Sequence, residues 1–388
     1  MLHRGFANEK PYHQSGVSSS SDFSAIIIHF PRKLNRFCSL ALSSPFRSVC
    51  KLSLDIPLRY DVFLLTASPI LFRGRTRYTQ EVTRYMKKIN PSFLGPALII
   101  LAGIFWGSMG IFVRRLSSFG FAPIQITSIR LTLAAVGFCL IQLICVPAGF
   151  HISIRDLPLF LGLGVGSVLF FSSCYFTAIN MMSLSTAAIL LYTSPIWIML
   201  MSVLFFHEKL TGKKLLALAL AFGGCVLVSG ISGGGLTLPG LLVGLGSGIG
   251  YGLYSILGTV ALRRYSPYTV TTWTFLFAAI GSWFISHPAE IIAKFSSTPS
   301  PLGLFLFCCL TALVTAVVPF LTYTLGLRTV EASRAGILAT IEPMVATLIG
   351  VFVFSEPLTL FSGLGVLLIL AAVILLNLKQ KERTLYEN

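Results

Sequence analysis

The feature that most constrains this chain is a series of long apolar segments separated by short polar turns. Ten such segments follow Pro96, and runs of this length with few charges are typical of helices that cross a bilayer. They cover residues 96–114, 123–146, 157–178, 184–206, 213–231, 239–262, 268–287, 302–326, 333–354 and 358–378. The chain is therefore predicted to be an all-α polytopic membrane protein with ten transmembrane helices.

The composition agrees with this class and excludes others. Of 388 residues, 55% are apolar and only 11% are charged, whereas about a quarter of a soluble domain is charged. The 29 Lys and Arg outnumber the 13 Asp and Glu, but they stand in short clusters between apolar segments, which predicts no nucleic-acid partner. The eight cysteines and six histidines show no metal-ligand spacing, so no metal, cofactor or disulfide framework is expected.

Residues 1–85 differ from the rest because they are Ser-rich and basic, and their longest apolar run, residues 62–72, is too short to span a bilayer. Three interpretations stay open: translation that begins at Met86, a disordered cytoplasmic tail, and a folded or targeting segment. In each case we expect no transport chemistry from this extension.

The basic residues near the segment ends fall mostly on one face, which predicts a plasma-membrane protein with both termini in the cytoplasm. The predicted cytoplasmic set is Arg84, Lys87, Lys88, Arg155, Lys209, Lys213, Lys214, Arg263, Arg264, Arg328, Arg334, Lys379, Lys381 and Arg383. The opposite face holds Arg114, Arg115 and Lys294. Such a split also requires an even number of spans.

The second half of the membrane region repeats the first. A shift of 148 positions aligns the following pairs without a gap: Tyr175/Tyr323, Ser185/Ser333, Ala187/Ala335, Ile189/Ile337, Leu190/Leu338, Pro195/Pro343, Phe206/Phe354, Glu208/Glu356, Leu210/Leu358 and Thr211/Thr359. Upstream, a shift of 145 aligns residues 103–107 with 248–252. The predicted repeats are residues 92–232 and 238–380, followed by a cytoplasmic tail, 381–388.

Each repeat holds five spans, and an odd number has a consequence for orientation. The second repeat must start on the opposite side of the membrane, so the two repeats are inverted. Inverted repeats can present a central site to either side in turn. This is the strongest functional argument in the sequence.

These repeats also resemble a known family. The matching blocks are Trp106-Gly107, Arg130, residues 187–195 with 207–209, and residues 336–343 with 355–358. Their order, spacing and duplication look like the two EamA domains of the drug/metabolite transporter superfamily, over about residues 92–380. The resemblance implies a ten-helix pseudosymmetric fold with a central cavity that carries metabolites such as amino acids.

Two ionisable residues lie deep in the predicted spans. Arg130 can line the cavity and bind a carboxylate or phosphate through its guanidinium fork, or it can reach the nearer interface as long basic side chains do. Glu342 stands where the first repeat has Ser194, which marks broken symmetry. It can orient a solute or carry a proton, because burial favours its neutral form, or it can make a helix-packing hydrogen bond.

Other candidates are uncharged. Pro195 and Pro343 lie mid-span and are candidate hinges, since each frees a carbonyl one turn earlier. Further candidate solute-binding residues are Trp106, Tyr175, Asn180, Ser194, Tyr251 and Tyr323. Glu208 and Glu356 are expected to cap the helix that follows each.

The sequence carries no P-loop and no visible catalytic site, so a gradient must drive any transport. We expect a secondary transporter of a small polar metabolite, in contact with the lipid bilayer, and a homodimer is left open. An antiporter of nucleotide sugars or phosphorylated metabolites is an alternative, although it would need more cavity cations than Arg130. A membrane-embedded lipid-modifying enzyme and a non-transporting receptor are alternatives from other classes.

Overall fold

The computed structural model describes residues 91–146, 150–230 and 237–378. The predicted N-terminal extension 1–85, the alternative start at Met86 and the tail 381–388 lie outside these ranges. Within them the structure consists of helices and turns, without a β-strand.

Nine helices in the described ranges are long and apolar enough to cross a bilayer. They are α1 (Phe93–Ser117), α2 (Pro123–Cys145), α3 (Ile154–Met181), α4 (Ser185–Phe206), α5 (Gly212–Ser229), α6 (Leu238–Ala261), α8 (Pro301–Gly326), α9 (Ala332–Phe354) and α10 (Leu360–Asn377). A tenth span comes from a pair of helices, α7a (Pro267–Trp283) and α7b (Pro288–Ser297), which meet at 87°. The predicted all-α fold with ten spans is confirmed.

The seventh predicted span, 268–287, is the one whose course the sequence pattern did not predict. The straight helix ends at Trp283, because His287 adopts a left-handed conformation with φ of 52° and Pro288 begins a new helix. The helix α7b is amphipathic, and it packs apolar side chains such as Ile291 and Phe295 against Leu116 and Phe121 near the α1–α2 turn.

The two five-helix repeats run in opposite directions through the membrane. We call the face on which α1 begins the near face and the other the far face. Arg114 at the end of α1 meets Glu356 in the α9–α10 turn, which places both at the far face. Glu208 in the α4–α5 turn accepts a hydrogen bond from Ser333 at the start of α9, which places both at the near face. These contacts require α4 and α9, the equivalent spans of the two repeats, to run in opposite directions.

A polar contact at the near face also joins the start of α3 to the turn after α6. Arg264 and Asp156 form an ion pair of 2.9 Å between Nη1 and Oδ1, and the Tyr265 hydroxyl donates to Asp156 Oδ2 at 2.6 Å. This hydrogen bond to a carboxylate raises the pKa of Tyr265. The first repeat is thereby fastened to the second at this face.

The repeats interlock rather than pack as separate bundles. Helix α1 packs against α8 and α9 of the second repeat, and α6 packs against α3 and α4 of the first. The remaining large contacts join α2 to α7a and α5 to α10. Each repeat therefore receives the first helix of the other into its own core.

Side-chain caps begin several helices, and they correct one expectation. Thr211 accepts a hydrogen bond from the backbone N–H of Lys214 at the start of α5, and Thr359 does the same for Ser362 at the start of α10. The helices are capped by these threonines, as is usual for hydroxyl side chains at this position. The expected capping by Glu208 and Glu356 is wrong, because both carboxylates bind residues of the other repeat.

We predict that Gly224→Ala destabilises the protein. A Cβ at Gly224 would stand 2.8 Å from the Gly365 carbonyl oxygen in the α5–α10 contact, so the two helices must separate. The expected loss is about 1–3 kcal/mol, measured as thermal unfolding of the purified protein in detergent.

The neighbouring Gly223→Ala is the matched control. A Cβ there meets nothing within 4 Å, and alanine favours a helix by up to about 1 kcal/mol over glycine. If the two variants unfold at the same temperature, the close α5–α10 contact contributes nothing measurable.

Candidate functional site

The candidate site lies where two spans are broken at mid-depth. In α4 the helix ends at Leu191 and resumes at Ser194, and in α9 it ends at Ala339 and resumes at Ile341. Backbone groups freed inside a membrane must find other partners. The hydroxyl of Thr193 donates to the Leu190 carbonyl at 2.6 Å, and that of Thr340 donates to the Ile337 carbonyl at 2.6 Å.

The predicted hinge residues Pro195 and Pro343 lie in the first turn of the second half of each broken span. A proline is tolerated there because the first N–H groups of a helix have no partner in the helix. The structure thus places a break just before each proline. Movement about either break stays a prediction.

Glycines of α1 and α6 allow these helices to lie directly against the two breaks. A Cβ at Gly103 would stand 3.2 Å from the Ala339 carbonyl oxygen, which Pro343 deprives of its helical partner. In the other repeat, a Cβ at Gly248 would stand 3.3 Å from the equivalent Leu191 carbonyl. A larger side chain at either glycine would push the helix away from the break.

The same contact continues one turn along each helix. A Cβ at Gly107 would stand 2.6 Å from the Glu342 carbonyl oxygen, and one at Gly252 would stand 3.4 Å from the Ser194 carbonyl. The pairs Gly103/Gly107 and Gly248/Gly252 are therefore equivalent small-residue faces that bring backbones close together. Their packing fixes where the neighbouring Trp106 and Tyr251 lie.

Glu342 occupies the first turn of the second half of α9. The hydroxyl of Tyr251 donates to Glu342 Oε2 at 3.2 Å. The carboxylate also interacts electrostatically with the tyrosines of two other helices, Tyr175 and Tyr192, and with Arg130. A carboxylate near a helix N-terminus is favoured by the helix dipole.

Arg130 is the cation opposite this carboxylate. Its side chain is 9% exposed, and Nη1 contacts the thioether sulfur of Met109, which is a weak acceptor. Its buried Nε finds no hydrogen-bond partner in the described part of the chain, and no carboxylate there lies within 4.0 Å of the guanidinium. A buried cation is costly unless it is paired. Arg130 therefore has unused capacity to bind an anion.

A cluster of aromatic rings adjoins Glu342 through Tyr251. Trp106 is 7% exposed, and its ring centroid lies 6.0 Å from Tyr251, 5.1 Å from Phe320 and 5.3 Å from Tyr323. The Tyr251 ring also contacts Phe171 at 5.4 Å. The site thus has one carboxylate, one guanidinium and an aromatic wall.

The structure separates Tyr175 from its repeat equivalent Tyr323. The hydroxyl of Tyr323 shares a 2.7 Å hydrogen bond with Ser255, and this tyrosine is buried between α6 and α8. The Tyr175 hydroxyl makes no hydrogen bond to a described residue and lies near Glu342. Only Tyr175 of this pair has a hydroxyl free to bind a solute.

The structure places two other predicted solute-binding residues, Ser194 and Asn180, in different surroundings. Ser194 is 3% exposed and begins the second half of α4, equivalent to the position of Glu342. Asn180 is exposed in the last turn of α3, and no described contact joins it to the charged pair.

Sequence reasoning did not predict the contact of Met109 with Arg130 or the electrostatic interaction of Tyr192 with Glu342. Met109 lies just after the kink at Ser108, and nothing in an apolar span distinguishes such a methionine from a packing residue. Tyr192 carries a usable signal, because it lies three positions before the mid-span Pro195 at the break itself.

An apolar cavity lies away from this site. It has a volume of about 540 Å³, lies between α2 and α7a and is lined by apolar residues that include Val136, Leu140 and Phe284. Its lining contains no charged side chain, and Val136 and Phe284 are 53% and 86% exposed. We assign it to the bilayer-facing surface, because a polar solute would find no partner there.

Known proteins resemble this chain along its membrane part. Residues 93–230 and 238–378 each match the EamA-like transporter family. An uncharacterized transporter of Archaeoglobus fulgidus is 33% identical over 72% of this chain and 95% of its own length. The uncharacterized transporter YwfM of Bacillus subtilis is 24% identical over 72% of this chain and 92% of its own. One crystal structure shares the fold with a TM-score of 0.60 at 19% identity, over 72% of this chain and 95% of that one.

We predict that Tyr323→Phe and Tyr175→Phe differ in their effect on stability. Loss of the Tyr323 hydroxyl leaves the buried Ser255 hydroxyl without its partner and lowers the free energy of unfolding by about 0.5–1.5 kcal/mol. Tyr175→Phe leaves stability unchanged. Equal unfolding temperatures for the two variants would contradict the different surroundings of these hydroxyls.

Proposed function

This chain belongs to the EamA-like transporter family, and from that membership and the geometry of its site we propose that it carries a small polar metabolite such as an amino acid across the plasma membrane. The observation that carries the proposal is the buried Arg130, which forms no ion pair with a described residue and interacts electrostatically with Glu342 of the other repeat. On this proposal the chain is a secondary carrier and not an enzyme.

A zwitterion with a carboxylate and an ammonium group fits these two charges. The guanidinium fork of Arg130 would bind the solute carboxylate, and Glu342 would accept the ammonium together with the hydroxyls of Tyr175 and Tyr251. The edge of Trp106 would form the wall next to the solute side chain. A phosphorylated solute has less support, since Arg130 is the cation at mid-span depth among the described residues.

The two broken spans are the parts of the fold that would move. Each break already lacks continuous helical hydrogen bonding, so a change in angle there costs less than bending an intact helix. Rotation about the breaks before Pro195 and Pro343 would open the site to one face and then to the other. The pseudosymmetry of the repeats makes these two states structurally equivalent.

Glu342 would couple transport to a proton gradient. A carboxylate removed from water readily becomes neutral, so the ammonium group of the solute and a proton would compete for it. Proton binding on one side and release on the other would then drive net movement of the solute.

We propose that the near face is cytoplasmic. In the described ranges eight basic residues lie at that face and three at the far face, which supports this orientation. The near-face residues are Arg155, Lys209, Lys213, Lys214, Arg263, Arg264, Arg328 and Arg334. The far-face residues are Arg114, Arg115 and Lys294.

We predict that Glu342→Gln abolishes accumulation driven by a proton gradient. Glutamine can still accept the hydrogen bond from Tyr251, but it cannot gain or lose a proton. The measurement is uptake of a panel of labelled amino acids into proteoliposomes, with and without a pH gradient. Exchange of labelled for unlabelled solute at equal pH should persist.

Glu290→Gln is the matched control for loss of a carboxylate, because Glu290 lies in α7b and accepts a hydrogen bond from Gln125. This variant should accumulate solute like the wild type. Retention of gradient dependence by Glu342→Gln removes that residue from the coupling step.

We predict that Arg130→Gln removes the preference of the protein for a solute that carries a carboxylate over one that lacks it. Charge-assisted hydrogen bonds contribute about 1.5–3 kcal/mol, so KM for an amino acid should rise about tenfold or more. Uptake of the corresponding decarboxylated amine should change little. The readout is the ratio of the two uptake rates in the wild type and the variant.

Thermal stability distinguishes a solute-binding role of Arg130 from a structural role. If Arg130 serves to bind a solute, Arg130→Gln removes an unpaired buried charge from the solute-free protein. Thermal stability then stays equal or rises. A large loss of stability, with an unchanged uptake ratio, would show that Arg130 holds the fold together instead. Arg115→Gln, at an exposed position of α1, is the control for loss of one positive charge.

A further inference from the structure

A charged cluster at the near face joins the two repeats. Lys214 Nζ lies 2.6 Å from Glu331 Oε2 and 3.3 Å from Glu208 Oε2, and Glu208 also accepts a hydrogen bond from Ser333. The side chains of Lys214 and Glu208 are 11% and 10% exposed. We call these four residues the near-face cluster.

The near-face cluster joins parts of both repeats that would move on the proposed function. Glu208 follows the second half of the broken α4, and Lys214 lies in the first turn of α5. Glu331 and Ser333 lie at the start of the first half of the broken α9. While the cluster is intact, the near ends of α4 and α9 cannot separate.

A second cluster joins the repeats at the far face. Arg114 Nη2 lies 2.6 Å from Glu356 Oε1, and the Arg114 guanidinium stacks 4.1 Å from the centroid of Phe354. Arg114 lies in the last turn of α1 of the first repeat, whereas Phe354 ends α9 of the second repeat and Glu356 follows it. We call these three residues the far-face cluster.

The two clusters share one equivalent position, the glutamate, and an equivalent arginine–phenylalanine stack lies at each face. Glu208 and Phe206 of the near face correspond to Glu356 and Phe354 of the far face under the 148-residue repeat. In addition, Arg263 at the end of α6 stacks 5.3 Å from Phe206, as Arg114 at the end of α1 stacks on Phe354. At each face, an arginine at or after the end of the first helix of one repeat thus stacks on the phenylalanine that ends the fourth helix of the other repeat, and a glutamate follows that phenylalanine two positions later.

We propose that the two clusters are the gates of the transport cycle, so that the near-face cluster breaks when the site opens to the near face and the far-face cluster breaks when it opens to the far face. This inference rests on the proposed carrier function. It assigns gating roles to Lys214, Glu331, Arg114 and Glu356, none of which touches the proposed solute site.

The gates differ in their exposure to water. Arg114 and Glu356 have side chains that are 56% and 48% exposed, whereas Lys214 and Glu208 are largely buried. Salt screens an exposed pair more strongly than a buried one. Opening at the far face should therefore respond more strongly to ionic strength than opening at the near face.

The test measures access to the central site from each face. In a chain whose cysteines are replaced, Ser194→Cys supplies a thiol at the buried break of α4. A membrane-impermeant maleimide is applied to the near or the far face of oriented vesicles, and the labelling rate is recorded. The gate variants are Glu331→Gln and Lys214→Gln for the near face and Arg114→Gln for the far face.

Each near-face variant should speed labelling from the near face about fivefold, and Arg114→Gln should do so from the far face. The controls Lys209→Gln and Arg115→Gln remove charges from the same two faces, but they break no ion pair between the repeats. The charge exchange Arg114→Glu with Glu356→Arg should return far-face labelling to the wild-type rate.

The gate proposal is overturned if the variants and the controls label alike, or if one variant speeds labelling equally from both faces. Glu331→Gln is the near-face variant that we expect to fold normally, because the Glu331 side chain is 58% exposed and its substitution leaves the Lys214–Glu208 pair in place. Labelling needs no transported solute. If the labelling rates change as expected but the protein transports no solute, the carrier function is refuted and the role of the clusters in opening the site is supported. If the protein transports solute but the variants label like the controls, the carrier function is supported and the gate proposal is refuted.

Discussion

The fold depends on one constraint, which is that backbone groups inside the membrane find no water to bind. At the breaks in α4 and α9, the hydroxyls of Thr193 and Thr340 donate to carbonyls three residues earlier, and glycines bring α1 and α6 close to the carbonyls that the prolines leave without a helical partner. The interlocked repeats follow from this, since each broken span needs the first helix of the other repeat as its cover. The candidate site lies where these contacts bring the two repeats together.

The two repeats share one pseudosymmetric fold, and several candidate site residues lie where the repeats differ. Glu342 stands where the first repeat has the neutral Ser194, and Tyr323 is tied to Ser255 while its equivalent Tyr175 is not. Arg130 adds a cation that the second repeat does not match. On the proposed function, the pseudosymmetric frame would give two equivalent states, and the unequal side chains would give a solute one orientation within them.

Much of this could be predicted from the sequence, and the rest could not for physical reasons. Apolar length predicts ten spans, and the repeat predicts their inverted arrangement. The same pattern missed the bend at His287, because a left-handed residue leaves no apolar signature. It also assigned Glu208 and Glu356 to caps, because spacing along the chain cannot reveal partners from the other repeat. The contacts of Arg130 with Met109 and of Glu342 with Tyr251 depend on tertiary packing in the same way.

The central claim is that one enclosed site faces the two sides in turn, and solute exchange tests it most directly. Proteoliposomes that contain the wild-type protein are loaded with an unlabelled amino acid, and uptake of the same labelled amino acid is followed at equal pH on both sides. The account predicts that loading accelerates the initial uptake, because a carrier that returns with solute bound completes its cycle. Absence of uptake for every member of an amino-acid panel, or uptake that is independent of loading, would contradict it.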